Sequence, residues 1–409
     1  MFTENLFTRI LDLEDGWVVE SVDTDFSKEE IFIQIVCLLE QLEDAQTGEL
    51  CKIYDHAPAR KWRHLDTMQY KTYIRCELPR ISTSQGKIKT VQPNWASGYV
   101  RHTFLFEHAI IDLLKASKNQ TKTAQIMRCG FNVVNRVMHL STKRGMERRN
   151  YTELVLAQLS IDEKAFKNGH HYVTVLSHPG SGCVLDVEEH RTKEACKSLF
   201  NRTLTETQLG QVTTISMDIR HGAQVWPAYI NTAQELLPNA AITHDRFHLI
   251  MYGNKAIDQV RRREVKQHDE LKNTRYALLK NPENLTEKQR IKFESIIGAN
   301  YEVSKAWQVR ENFKDLFSSG KLFAWTLYNK WTTDSKRKNI KEIDKVIETF
   351  NNPISGVVNA LIMNLSNAMA ERLNGKIQEL KTVGKGYRTF ANFRSAILFF
   401  HGGLDLYPH

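Results

Sequence analysis

The chain has 409 residues, of which 41% are hydrophobic and 25% charged, with a net charge of +9. That length accommodates roughly two to four domains, each with a real core. No apolar run approaches the roughly 18 residues of a membrane span. The opening MFTENLFTRILDLEDGW lacks a signal peptide's basic-then-apolar pattern, so a cytoplasmic protein is expected.

The six cysteines (37, 51, 76, 129, 183 and 196) are scattered without even spacing, as expected of free, buried thiols in a reducing compartment. Charge is distributed unevenly. Residues 1–50 hold two Lys/Arg against thirteen Asp/Glu, a balance of −11, whereas residues 51–150 hold nineteen against six, or +13. So basic a block is the footprint of a surface that displaces counterions from nucleic acid. A solvated face, or a counterweight to the acidic segment, would give the same balance.

In chain order, an acidic lead-in is followed by an apolar helix or strand, Ile31 to Leu42, and then by YDHAPARKWRHLDTMQYKTYIRCELPRI. Within this stretch Tyr70 to Leu78 alternates as a strand. Cys51 and Cys76 lack CxxC partners, and His56 and His64 lack ligand spacing, so zinc is not expected. Residues 1–98 are therefore predicted to form a metal-free module that touches DNA backbone through Arg60, Lys61, Arg63 and Lys71. Over residues 99–150 the spacing predicts three helices. Phe104 to Ala116 comes first, then Thr121 to Met127, the turn Arg128-Cys129-Gly130, and Phe131 to Leu140. With Val133, Val134, Val137 and Leu140 inward, Asn132, Asn135, Arg136 and His139 are left outside, and Lys143 and Arg144 follow. This is helix–turn–helix spacing with a recognition helix, although inert three-helix bundles share it.

The stretch LSIDEKAFKNGHHYVTVL (159–176) reads as a strand, an Asn-Gly turn and a second strand, with Gly182 to Glu188 as a third after Pro179-Gly180. Asp162 lies inside the first strand, where an unpaired carboxylate is costly to bury. A helix at Thr192 to Asn201 follows, then a β-prone run Gln211 to Met217 ending at Asp218. Next come a helix Val225 to Leu236, a strand Ala240 to Thr243, and the group Asp245-Arg246-Phe247-His248. Three strands, helix, strand, helix, strand is the order of a ribonuclease-H-like mixed sheet. Residues 250–352 break the alternation and read as an all-α insertion, with Trp307, Trp325 and Trp331 expected mainly in its core. The catalytic part, begun at 151–249, then resumes over 353–409. On its long helix Asn367, Glu371, Asn374 and Gln378 form one polar stripe, while Ala370, Leu373, Ile377 and Leu380 face the core.

Asp162, Asp218 and Glu371 thus come from two strands and a helix. Phosphodiester cleavage and strand transfer need an activated oxygen nucleophile and a stabilised leaving oxygen. Two Mg²⁺ ions held by a few carboxylates supply both, and Mn²⁺ is expected to substitute. Asn367 and Asn374 would support the carboxylates. Asp245 and His248 could sit beside the site or serve the junction structurally. Taken singly, each acid could equally be a turn or surface residue; the combination carries the signal.

The motif order YDHAPARKWRHLDTMQYKTY, TKTAQIMRCGFNVVNRVMHLSTKRG, SIDEKAF, SMDIRHG, HDRFHLI and SNAMAERLNGKI resembles the ISL-three type of bacterial insertion-sequence transposase, within the DDE superfamily, over nearly the whole chain. The resemblance implies that Asp162, Asp218 and Glu371 are the metal-binding catalytic triad and that 250–352 is the insertion before the Glu. It also implies double-stranded DNA partners (terminal inverted repeats and target DNA), a homodimer or higher oligomer on DNA, and a nucleoid-associated bacterial protein. The family's N-terminal zinc ribbon is degenerate here: Asp44, Thr47, Thr83 and Gly86 stand roughly where ligands would fall. Two alternatives stay open, a catalytically silent DNA-binding derivative and a repair nuclease on the same sheet.

Overall fold

The computed structural model describes every residue except 1, 99, 150–155, 168–170, 218–225, 320, 352–353, 364–367 and 409; of residues 2, 3, 226, 321 and 368–371 it describes the backbone only. The fold is mixed α/β. It divides into two compact units, Met1–Arg149 with Leu404–His409, and Asn150–Gly403. Among the described residues no helix is long and apolar enough to cross a membrane.

The first unit begins with α1 (Phe2–Ile10) and eight strands: β1 (Trp17–Asp25), β2 (Glu30–Cys37), β3 (Gln41–Glu43), β4 (Leu50–His56), β5 (Arg60–Arg63), β6 (Lys71–Cys76), β7 (Pro79–Ser82) and β8 (Ile88–Thr90). They form two four-stranded sheets, ordered β1-β2-β6-β5 and β3-β4-β7-β8. In the first, period-two alternation buries Ile31, Ile33 and Ile35 of β2 and Thr72, Ile74 and Cys76 of β6. Beneath them Trp95 meets Trp17 and Trp62 edge-on, at 5.4 and 6.0 Å. The span Ile31 to Leu42 is thus strand, divided between β2 and β3.

The second sheet carries the two turns where zinc ligands would fall. Gly48 and Gly86 both have φ +72°, which lets the chain reverse tightly. Asp44, only 4% exposed, accepts from the Lys89 ammonium at 2.5 Å, the Gln46 amide at 3.2 Å and the Thr47 hydroxyl at 3.3 Å. Glu49 receives the Ser84 amide and hydroxyl across the turns. The four positions Asp44, Thr47, Thr83 and Gly86 do not fit a zinc site: Asp44 is the one carboxylate among them, and no thiol or imidazole accompanies it.

Three helices complete this unit: α2 (Phe104–Ser117), α3 (Gln120–Ile126) and α4 (Phe131–Arg148). Thr103 caps α2 through the Phe106 amide and Asn119 caps α3 through the Lys122 amide, while Lys118 turns between them at φ +52°. Ile110, Ile111, Leu114, Ala124, Val134, Val137 and Met138 are buried. Glu107 is buried too, between His102 and Arg144 at 3.2 and 2.8 Å. Burial pushes its carboxyl up, but the two donors outweigh this and hold it below its ordinary value.

Residues 404–408 return to these helices rather than extending the second unit. Leu406 is buried and its carbonyl accepts from Arg144 at 2.7 Å. Tyr407 donates to Asp112 at 2.6 Å and accepts from Lys115 at 3.0 Å.

In the second unit β9 (Gln158–Lys167), β10 (His171–His178), β11 (Cys183–Glu189), β12 (Thr214–Met217) and β13 (Ala241–His244) form one sheet ordered β11-β10-β9-β12-β13. Strands β9, β10 and β11 pair antiparallel, whereas β12 is parallel to β9 and β13. The expected strand Gln211 to Met217 is shorter than its pattern. A capping box of Thr205 and Gln208 starts a helix, α6 (Glu206–Gln211), next to α5 (Lys193–Thr203), and uses up the first residue of the run. Helix α7 (Trp226–Leu236) follows β12; the Asn168-Gly169 turn lies outside the described residues.

Helices α8 (Arg246–Glu264), α9 (Arg275–Leu279), α10 (Glu287–Ile297), α11 (Glu302–Leu316), α12 (Ala324–Lys336) and α13 (Lys341–Asn351) build a separate core around Phe313, Tyr328, Trp331 and Phe350. The Glu264 carboxylate caps α11 through the Glu302 and Val303 amides, both at 2.8 Å. Trp331 is buried and donates to the Val309 carbonyl, and Trp307 packs edge-on against Phe293. Trp325 departs from the core expectation: it is 47% exposed, because it lies about 100° round α12 from Ala324, off the buried stripe of Ala324, Tyr328, Trp331 and Ser335. Helices α14 (Ile354–Met363), α15 (Ala368–Val383) and α16 (Phe390–His401) then return to the sheet. Helix α14 packs on β13 and α16 on β11. Arg394 of α16 and Arg202 of α5 both bind the buried Asp186 carboxylate of β11.

Candidate active site

The centre of the sheet is β9, with Leu159 and Ile161 buried below and Asp162 only partly covered. Asp162 is held on both oxygens. Its Oδ1 accepts the Glu163 amide at 2.6 Å, and its Oδ2 accepts the Asn374 side-chain amide at 2.6 Å. The ammonium of Lys164, two residues on and so on the same face of the strand, is 3.1 Å from Oδ2.

Asn374 lies on α15, whose apolar stripe Leu373, Ile377 and Leu380 is buried. One edge of that helix therefore runs along β9, and Lys381 donates to the Ala165 carbonyl at 2.5 Å. Glu371 is three residues before Asn374 on α15, about one turn away; its side chain lies outside the described residues, as do Asn367 and Asp218. The last residue of β12, Met217, pairs with Ile161, the residue before Asp162. Among the described residues no three His, Cys, Asp or Glu side chains gather as a metal-binding cluster. Asp162, with hard carboxylate oxygens at a partly open position, has the donor chemistry that suits Mg²⁺.

Asp245 caps α8. It is 7% exposed, accepts the Phe247 amide at 2.8 Å, and its own amide donates to the Met217 carbonyl at 3.3 Å. His248 lies 3.5 Å from its carboxylate. Next to it, His244 is buried against Gly356, where an added Cβ would come within 2.5 Å of Nε2. That burial pushes the His244 imidazole down to about 4. The sequence reading gave no role to Lys164 or to Glu163, which is 6% exposed and pairs with Arg191 at 3.3 Å. The signal for both was the acid–acid–base run beside an apolar strand.

The expected DNA contacts divide into two groups. Asn132, Arg136 and Lys143 are exposed along one side of α4, with Asn135 and His139 half-buried between them. Lys61 is exposed and Lys71 half-buried. Three arginines are instead engaged within the protein. Arg60 donates to the Gly98 carbonyl at 3.0 Å. Arg63 donates to the His64 and Thr72 carbonyls and pairs with Asp66. Arg144 joins Glu107 to the Leu406 carbonyl.

A family model described as Transposase, for the DDE transposases of the ISL3 type, matches residues 159–397. The transposase for insertion sequence element IS1557 of Mycobacterium tuberculosis, in two strains, is 26% identical over 371 residues, covering 84% of this chain and 82% of its own length. The transposase for insertion sequence element IS1001 of Bordetella parapertussis is 23% identical over 353 residues, covering 84% of each chain. The matched region contains the whole five-stranded sheet apart from the first residue of β9, the helical insertion, and the helix that reaches Asp162. The chain belongs to the ISL-three type of insertion-sequence transposases.

Proposed function

We propose that the protein cuts and joins DNA at the ends of its insertion sequence. In this reading Asp162, Asp218 and Glu371 are the carboxylates of a ribonuclease-H-like active site, and α2–α4 are a helix–turn–helix that grips terminal inverted repeats. The observation that carries the reading is the Asn374–Asp162 hydrogen bond at 2.6 Å, which seats the Glu371-bearing helix beside the central strand. The sheet order supports it as well: three antiparallel strands flanked by two parallel ones, with β12 ending one residue before Asp218.

Bound Mg²⁺ ions would supply charge neutralisation and an activated oxygen for in-line displacement. The protein's part is orientation. The Glu163 amide and the Asn374 amide fix the Asp162 carboxylate in one rotamer before substrate arrives. Lys164 keeps a positive charge 3.1 Å from Oδ2, which reduces the repulsion an incoming phosphodiester meets. Water attacks the phosphodiester at the element's end and displaces its 3′-oxygen; the freed 3′-hydroxyl then attacks a target phosphodiester and displaces that strand's 3′-oxygen. Pairing of two ends calls for a homodimer or higher oligomer.

The test is nicking of duplex DNA that carries the element's ends, with Mg²⁺ present. The Asp162→Asn variant should retain end binding and lose nicking. A variant that nicks at the unmodified rate would overturn the assignment.

A further inference from the structure

The outer face of the β1-β2-β6-β5 sheet is not covered by the core, and its side chains fall into registered rows. Strand pairing sets Asp23, Phe32, Tyr73 and Arg63 in one row, and Ser21, Gln34, Arg75 and Lys61 in the next. Phe32 and Tyr73 are stacked at 5.6 Å with 17° between their planes. The Arg75 guanidinium lies 3.6 Å from the Phe32 ring centre, and the Lys61 ammonium 4.0 Å from that of Tyr73. Both cations are exposed, and among the described residues neither forms an ion pair. Their neighbours differ: Arg63 is tied to Asp66, and Arg60 to backbone carbonyls.

We propose that Lys61 and Arg75 form a phosphate clamp that grips the backbone of duplex DNA, with Phe32 and Tyr73 as the platform that holds the two charges in place. The proposal rests on the DNA-binding reading above and adds a second contact surface to α4. As cross-strand partners, Lys61 and Arg75 bring their charged ends together. The rings restrain two long, otherwise floppy side chains through cation–π attraction, so less freedom is lost when a phosphate arrives. The occupant follows from charge and from coverage. Asp23 and Asp25 make β1 acidic, with Glu30 at the start of β2, and these carboxylates repel a polyanion, which directs it to Lys61 of β5 and Arg75 of β6. The rings lie beneath the cations, so phosphates rather than stacked bases meet the surface.

The test uses the full chain with a short random-sequence duplex and the matching single strand, titrated across salt concentrations. Lys61→Ala with Arg75→Ala should weaken duplex binding and make the slope of log affinity against log salt shallower by about 2, since each lost phosphate contact removes about 0.9. Phe32→Leu with Tyr73→Leu keeps both charges, so affinity should fall while the slope holds. Unchanged affinity and slope in the first variant would overturn the clamp. If Arg136→Ala still weakened binding in that case, the DNA-binding reading would stand without it. A ring variant that lost only single-strand binding would overturn the clamp in favour of base stacking. An unmodified chain that bound no duplex at any salt would sink both.

Discussion

Asp162 shows how firmly one side chain can be positioned before any ligand is present. An aspartate in a central strand loses water on both sides. Here it recovers two amide donors and one ammonium, at 2.6, 2.6 and 3.1 Å. Asn374 is the donor that comes from far away in sequence, and its removal tests the arrangement. Asn374→Ala leaves the apolar stripe of α15 intact and frees the carboxylate to turn. The expected outcome is a nicking rate lower by roughly 10- to 100-fold, the usual effect of losing a group that orients a metal ligand. End-DNA affinity should stay constant, and lowered activity should be partly recovered at higher Mg²⁺. An unchanged single-turnover rate would mean that the amide has no orienting role. The polar stripe containing Asn374 was legible because helical periodicity separates it from Leu373, Ile377 and Leu380. Lys164 was not, because a lysine two residues along a strand reads as a solvated charge until the fold shows what it faces.

At the scale of the element, α4 is longer than its apolar pattern, running from Phe131 to Arg148 where the spacing ends at Leu140. The extra turns are stabilised from outside the helix. Gly145 sits against residues 404–405, and an added Cβ would lie 2.7 Å from the Leu404 Cβ and 2.9 Å from the Asp405 carbonyl oxygen. Arg144 and Arg148 donate to the carbonyls of Leu406 and Tyr407 at 2.7 and 2.6 Å. Gly145→Ala raises intrinsic helix propensity, which by itself would stabilise α4 by about 1 kcal/mol. The clash with backbone outweighs this, because overpacking costs about 1–3 kcal/mol. Denaturant unfolding should therefore show a net loss of stability, with faster hydrogen exchange in the last turns of α4. A stabilised variant would mean that residues 404–408 can move aside. The same contacts engage Arg144 within the protein: Glu107 is buried and needs a cation.

For the molecule as a whole, both units contain a buried neutral histidine, so acid should loosen both. Burial pushes His64 down to about 4, with Arg63 adding to the effect, and burial pushes His244 down to about 4 as well. Between about pH 6.5 and 4 the unfolded chain binds a proton at each position that the folded chain refuses. The stability they provide is therefore complete above the unfolded value and is lost as pH falls towards 4, on the order of 3 kcal/mol for each. His64→Gln keeps a donor or acceptor for the Thr103 hydroxyl, 2.9 Å away in the parent, and removes the titration. Its unfolding free energy should vary less between pH 6.5 and 4 than that of the unmodified chain. Equal slopes would assign the acid sensitivity elsewhere.

The sequence by itself determined what is local or periodic. Alternation gave β6, helical spacing gave α2 and the apolar stripe of α15, and the charge balance set residues 51–150 apart as a basic block. The motif order pointed to the family that the comparisons establish. The tertiary structure decided whatever depends on a distant partner. It placed Asn374 on Asp162, engaged Arg60, Arg63 and Arg144 internally, and set an ammonium from Lys89 against Asp44. It also returned residues 404–408 to the first unit. Periodicity reports which side of an element is apolar, but a charged side chain looks the same in sequence whether it faces solvent, DNA or a buried carboxylate. Only the folded chain brings the partner within hydrogen-bonding distance.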